Sequence, residues 1–142
     1  MKTPLITRIA TRATTTLIVG SALVFLTLIP LSGSAQEPTD FTYSTNGDGT
    51  ATITGYNGTN LHVVIPGTVS NLVVTGIGQG AFEGRYSLMS VTIPNSVTNI
   101  GVMAFASCTA LTSVIIPDNV ISLGGAAFNS CTSLTSLTIG TN

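Results

Sequence analysis

Charge is what this sequence has least of. Only 6% of its 142 residues are charged, against roughly 25% in ordinary globular domains. Three of the four bases, Lys2, Arg8 and Arg12, fall in the first twelve residues. Beyond them Arg85 is the single base and faces Glu37, Asp40, Asp48, Glu83 and Asp118. One positive charge against five negative leaves that part of the chain at a net −4. A phosphate-binding surface works through clustered Lys and Arg that displace counterions. One arginine makes no cluster, so nucleic acid is excluded as a partner. The same count excludes a basic patch for an anionic membrane surface.

Reactive side chains are nearly as scarce. His62 is the only histidine, so any Ser-His-Asp or Cys-His arrangement would have to use it. No serine sits in a GxSxG turn. His62 is expected to point outward on a short strand, and no catalytic residue is assigned. Cys108 and Cys131 are the only cysteines; with a distant His62 they do not make a zinc site. Asp48, in NGDGT, lacks the alternating oxygen ligands and terminal Glu of a calcium loop and reads as a hairpin turn. No metal or cofactor is expected, and the chain is not read as an enzyme. Asn57-Gly58-Thr59 has the pattern of a glycosylation acceptor, which matters only in a eukaryotic host.

Residues 1–35 read as an address. A basic stretch free of acids runs to Thr16, an apolar run follows from Leu17 to Leu31, and Ser32-Gly33-Ser34-Ala35 closes it with small residues. That order is the order of a secretory signal peptide, with cleavage expected after Ala35. The competing reading is a membrane anchor. Fifteen apolar residues span about 22 Å as a helix, short of the ~30 Å hydrocarbon core. No cysteine stands near the cleavage point for a lipid anchor, and Arg8 and Arg12 are not a twin-arginine pair. The chain is expected to be secreted or cell-surface, with no membrane insertion after cleavage.

What the rest has in abundance is repetition. IGQGAFEGRYSLMSVTIP, IGVMAFASCTALTSVIIP and LGGAAFNSCTSLTSLTIG begin at Ile77, Ile100 and Leu123, a constant offset of 23. Gly78, Gly101 and Gly124 align, as do Ala81, Ala104 and Ala127. So do Phe82, Phe105 and Phe128, and Leu88, Leu111 and Leu134. Val97 and Val120 map back onto Val74. Leu88-x-x-Val91-x-Ile93 has the LxxLxL form of a leucine-rich repeat. Val91 and Ile93 are two apart and face one side of a strand, the core, while Ser90 and Thr92 face out. Pro94 ends the strand. Gly101 is expected to take a positive φ at a corner, and Phe105 to fill the coil. One unit cannot bury its apolar side alone, so neighbours stack.

The pattern IGxxAFxxCxxLTSVxIP resembles that of the BspA-like leucine-rich repeats of bacterial and some protozoan surface and secreted proteins, over about Ile65 to Asn142. The resemblance implies a curved solenoid with one short strand per coil on the concave side, and relatives associated with adhesion. Two positions depart from the pattern: Arg85 stands in the cysteine column and Gly140 in the proline column. The fold class is therefore a β-rich repeat solenoid with an N-terminal β-hairpin cap. Residues 36–64 form the cap and 65–142 about three repeats, incomplete at the C-terminus.

The cap is read from Phe41 to Tyr56, where alternating runs flank Asn46-Gly47-Asp48-Gly49. Leu61 to Ile65 reads as a further strand closed by Pro66. Pro66 to Pro94 is five residues longer than a repeat, placing a small insertion near Gly67 to Leu72. At the other end Leu134 to Asn142 starts a turn without continuing it, so the chain is expected to be a fragment of a longer protein.

Two sets of residues remain open to interpretation. Coils about 4.8 Å apart put Cys108 and Cys131 within disulfide reach, and export permits oxidation; the plainer reading is two buried thiols. The outward positions Met89, Ser90, Thr92, Thr112, Ser113, Ile115, Thr135, Ser136 and Thr138 form a flat, nearly uncharged lattice. It is either a solvated strand face or a contact surface for an extracellular protein or glycan. Regular threonine arrays can also order water against ice, a pattern that Ile115 interrupts. The functional reading is an exported, non-catalytic binding or adhesion module; the rival is a structural spacer within a larger surface protein.

Overall fold

A computed structural model describes residues 38–140; the expected leader over residues 1–35 lies outside them. The coil is built on two parallel sheets. The first contains β3 (His62–Val64), β6 (Ser90–Thr92), β8 (Ser113–Ile116) and β10 (Ser136–Ile139), stacked in the order β10-β8-β6-β3. Its register is that of the repeat: Val63 pairs with Val91, Val91 with Val114, and Val114 with Leu137. The pleat turns Val63, Val91 and Val114 inward, and the isoleucines two residues on, Ile65, Ile93 and Ile116, are also buried. The stack is thus one rung longer than the three aligned copies, since β3 is a full rung. It is the strand expected at Leu61 to Ile65, and the coil that follows it carries the five extra residues.

The second sheet begins with the cap. β1 (Phe41–Thr45) and β2 (Ala51–Tyr56) form an antiparallel hairpin, closed by a bond from the Asn46 amide to the Thr50 carbonyl and by Gly49 at φ +80°. β2 then pairs in parallel with β5 (Leu72–Ile77), which leads to β7 (Asn99–Ile100) and β9 (Ser122–Leu123). The cap therefore enters the stack as a rung. Ile53, Ile77 and Ile100 follow one another in register and are fully buried. The five extra residues form a small hairpin in which β4 (Thr68–Val69) pairs with the start of β5. Ser70 and Asn71 both take positive φ there, the backbone of a two-residue type I′ turn.

The corner glycines act differently from expectation. Gly101 does not have a positive φ; among the described residues the glycines that do are Gly49, Gly80 and Gly84. Gly101 is required by crowding, because a Cβ there would lie 2.7 Å from the backbone of Gly78 and Gln79. Gly124 meets Gly101 and Val102 in the same way. The left-handed positions come two and six residues later. Gly80, Met103 and Ala126 lie at φ 62°, 55° and 58°, and Gly84, Ser107 and Ser130 at 70°, 60° and 59°. Alternating left-handed residues turn the amides of Gly80, Phe82 and Gly84 onto the carbonyls of Val102, Ala104 and Ala106. The third side of the coil is thereby hydrogen-bonded to its neighbour as well. The side-chain cost of φ > 0 is accepted at four non-glycine positions to keep that ladder.

Aromatic rings run through the stack as a spine. Tyr56, Phe82, Phe105 and Phe128 have successive centroids 5.7, 5.0 and 5.3 Å apart, with interplanar angles of 26°, 15° and 2°. Phe41 closes the spine beneath Tyr56 and Phe82. Tyr56 in the cap therefore takes the position that phenylalanine holds in each coil.

Candidate binding face

The four-rung sheet presents three outward columns. One runs Leu61, Met89, Thr112, Thr135, linked by amide-to-carbonyl bonds of 2.7, 3.2 and 3.0 Å. The second is His62, Ser90, Ser113, Ser136, and the third Val64, Thr92, Ile115, Thr138, both set by strand register. Eight of the nine residues predicted for this surface are exposed, and Ser90 is half-buried. The sheet brings all nine onto one face. Leu61, His62 and Val64 complete it; reading LHVVIP against MSVTIP across the 28-residue step would have found them.

Hydrogen bonding changes what the face offers. The Thr112 hydroxyl donates to the Met89 carbonyl and the Thr135 hydroxyl to the Thr112 carbonyl, each at 3.3 Å. Their protons are committed to the preceding coil, so these threonines show a ligand a methyl and an acceptor oxygen. Down the middle column, His62 Nδ1 lies 2.8 Å from Ser90 Oγ. Apolar side chains flank that polar column: Leu61 and Met89 are 44% and 40% exposed on one side, Val64 and Ile115 59% and 68% on the other. None of the twelve is Asp, Glu, Lys or Arg.

The His62–Ser90 pair has none of the supports of a catalytic pair. Among the described residues no carboxylate bonds the second ring nitrogen, and the pair lies open on a strand face. Asp48 is a turn residue. Its carboxylate accepts from the Thr50 amide at 3.0 Å and the Thr50 hydroxyl at 2.6 Å, which holds its pKa below the usual carboxylate value. Among the described residues no group of acids, histidines and cysteines converges as metal ligands, and no helix is long and apolar enough to cross a membrane.

The cysteine column holds two free thiols, not a disulfide. Cys108 Sγ donates to the Phe82 carbonyl at 3.2 Å, and Cys131 Sγ to the Phe105 carbonyl at 3.1 Å. Each thiol thus hydrogen-bonds to the carbonyl of the spine phenylalanine one coil back. Burial pushes the Cys108 thiol up to about 12, with the nearby Cys131 adding to the shift; burial raises Cys131 too. Arg85, the departure from this column, makes the corresponding bond. Its guanidinium donates to the carbonyl of Tyr56, the cap's spine residue, and lies 5.8 Å from the centre of the Tyr56 ring. Cysteine reaches a carbonyl 26 residues back, whereas here the target is 29 residues back. A longer arm replaces the thiol where the step is irregular. Gly140, the other departure, has the N–H that proline lacks and donates it to the Ile116 carbonyl at 2.9 Å.

Known proteins share this architecture. Residues 61–142 match the BspA type leucine rich repeat region, in six copies. A leucine rich cell surface protein from Faecalibacterium prausnitzii A2-165 has a similar structure, with a TM-score of 0.64 and 36% sequence identity over 76% of this chain. The match covers 32% of that protein, so the chain spans about a third of its length. A leucine-rich repeat protein from Bacteroides capillosus ATCC 29799 gives a TM-score of 0.54 at 26% identity, over 75% of this chain and 98% of that one. No curated protein matches the sequence. No catalytic function is indicated by the family or by the site. Since the BspA-type match spans residues 61–142, more than half of the sequence, the chain belongs to the BspA-type leucine-rich repeat family.

Proposed function

We propose that this chain is a non-catalytic binding module displayed outside the cell, and that its ligand is another protein held on the outer face of β3, β6, β8 and β10. The observation that carries this reading is the exposure of Leu61, Val64, Met89 and Ile115 around a polar centre on one uncharged face. Solvated strand faces normally alternate to polar residues outward, and grouped exposed apolar side chains mark contact surfaces. A protein is favoured over a glycan because none of the twelve face residues is Trp, Tyr or Phe, the large rings on which sugars stack best. The export address at the N-terminus and the cell-surface description of the Faecalibacterium protein support display outside the cell. The adhesive role belongs to the same proposal.

The test uses labelled protein and intact cells pretreated with protease or with glycosidases. Binding should fall after protease and survive glycosidase treatment. Substituting Ile115→Glu, or Ser113→Glu with Ser136→Glu, should weaken it about tenfold, as for loss of one well-placed interface contact. Binding untouched by these substitutions would remove the face from the argument, and loss only after glycosidase would make the ligand a glycan. A spacer role is the second reading, favoured by the chain's matching only 32% of the larger Faecalibacterium protein; absence of binding to any cell would favour it.

A further inference from the structure

The sequence contains two Asn-Gly pairs, Asn46-Gly47 and Asn57-Gly58, and the fold treats them in opposite ways. Asparagine before glycine is chemically labile because the unhindered glycine amide nitrogen can attack the asparagine side-chain carbonyl. Asn46 is shielded from this reaction. It is half-buried, its amide nitrogen donates to the Thr50 hydroxyl at 2.8 Å, and its carbonyl accepts from the Thr52 hydroxyl at 3.1 Å. A weaker contact reaches the Thr75 hydroxyl at 3.5 Å. Asn57 is exposed, and among the described residues nothing holds its side chain. Only its backbone N–H is engaged, donating to the Asp40 carbonyl at 2.7 Å. The Gly58 N–H has no acceptor there either. Gly58 is itself fixed by the fold, since a Cβ at that position would collide with the Tyr56 hydroxyl and lie 2.8 Å from an Asp40 carboxylate oxygen.

We infer that Asn57 is a site of spontaneous backbone-assisted deamidation in the folded protein, and that Asn46 is protected. The Gly58 nitrogen loses its proton and bonds to Asn57 Cγ, the bond from Cγ to the amide nitrogen breaks, and ammonia leaves. Water then opens the cyclic imide at either carbonyl, giving aspartate or isoaspartate; no oxidant or reductant takes part. Position 57 heads the connector from β2 to β3. The isoaspartate product adds one methylene to the backbone of the segment that delivers the first rung, and either product adds a carboxylate near Asp40.

The full chain is incubated at mildly alkaline pH, and the one-dalton mass gain is located by fragmentation, with isoaspartate quantified by enzymatic methylation. Asn57 should react and Asn46 lag by about thirtyfold, the factor set by two ordinary hydrogen bonds that must open first. In concentrated urea the two sites should react at similar rates. Asn57→Gln should abolish the folded-state signal. Equal rates at both sites in the folded protein, no gain at Asn57, or the same disparity in urea would each overturn the inference. The experiment measures chemistry at position 57 and does not depend on the proposed ligand.

Discussion

Replacing Arg85 by alanine tests whether the cap is clasped as described. The substitution removes the charged donor from the Tyr56 carbonyl and the cation from the Tyr56 ring. A hydrogen bond from a charged donor contributes about 1.5–3 kcal/mol and the ring contact about 0.5–1 kcal/mol. The arginine is only half-buried, so solvent screening trims the electrostatic part and the expected loss is about 2 kcal/mol. In a domain of this size that lowers Tm by about 10 °C. Cys108→Ala, in the same column, loses a weak S–H donor and one buried sulfur, for about 1 kcal/mol. Arg85→Cys restores the family residue but shortens the arm, so it should behave like the alanine variant. Urea unfolding followed by circular dichroism gives the free energies. Hydrogen exchange should show the loss concentrated in β1, β2 and the Asn57 amide. If Arg85→Ala costs no more than Cys108→Ala, or if β1 exchanges as in the parent protein, the clasp is not what holds the cap.

The corner glycines and the thiol column give two further tests. Gly101→Ala should cost about 3 kcal/mol, because its Cβ meets backbone that cannot swing aside. Gly125→Ala, where nothing lies within 4 Å of the new Cβ, should stay within about 0.5 kcal/mol; equal costs would reject crowding as the reason for the column. Cys108 is held protonated by burial, with its pKa raised to about 12 in the fold. The native state then binds the extra proton between the ordinary thiol pKa and 12. Stability is complete below that window and falls as pH rises through it, by about 1.4 kcal/mol per pH unit. A pH series of unfolding midpoints should show this decline in the parent and a shallower one in Cys108→Ala, where Cys131 alone is still raised by burial; an undiminished decline in the variant would reject the assignment.

The repeat made much of this fold legible. The spacing of Leu88, Val91 and Ile93 identifies a rung before any coordinates, and the matching of Phe82, Phe105 and Phe128 places the spine. Two features escaped because they depend on contacts between coils. Gly101 looks like a turn glycine, yet its need is the nearness of Gly78 and Gln79, which no single coil displays. The left-handed column is filled by Met103 and Ala126, residues that carry no signal of positive φ. The repeat spacing places Met89 to Thr138 on one strand face, and Leu61, His62 and Val64 join it once the strand ending at Pro66 is set against the one ending at Pro94. Arg85 appeared in the sequence as a lapse in the cysteine column; only the position of the Tyr56 carbonyl explains it.

The small hairpin at Thr68–Val73 shows where such a protein can change its length without changing its geometry. Five residues enter one corner, and Ile65 and Ile77 still fall into their columns beside Ile93 and Ile100. The corner after each Ile-Pro is therefore a port at which sequence can be added while the spacing of the outward columns stays as it was. Loops grafted after Pro94 or Pro117 would vary one side of the molecule independently of the outward face of β3, β6, β8 and β10. The fold thereby separates the part that can drift from the part that must keep its pitch.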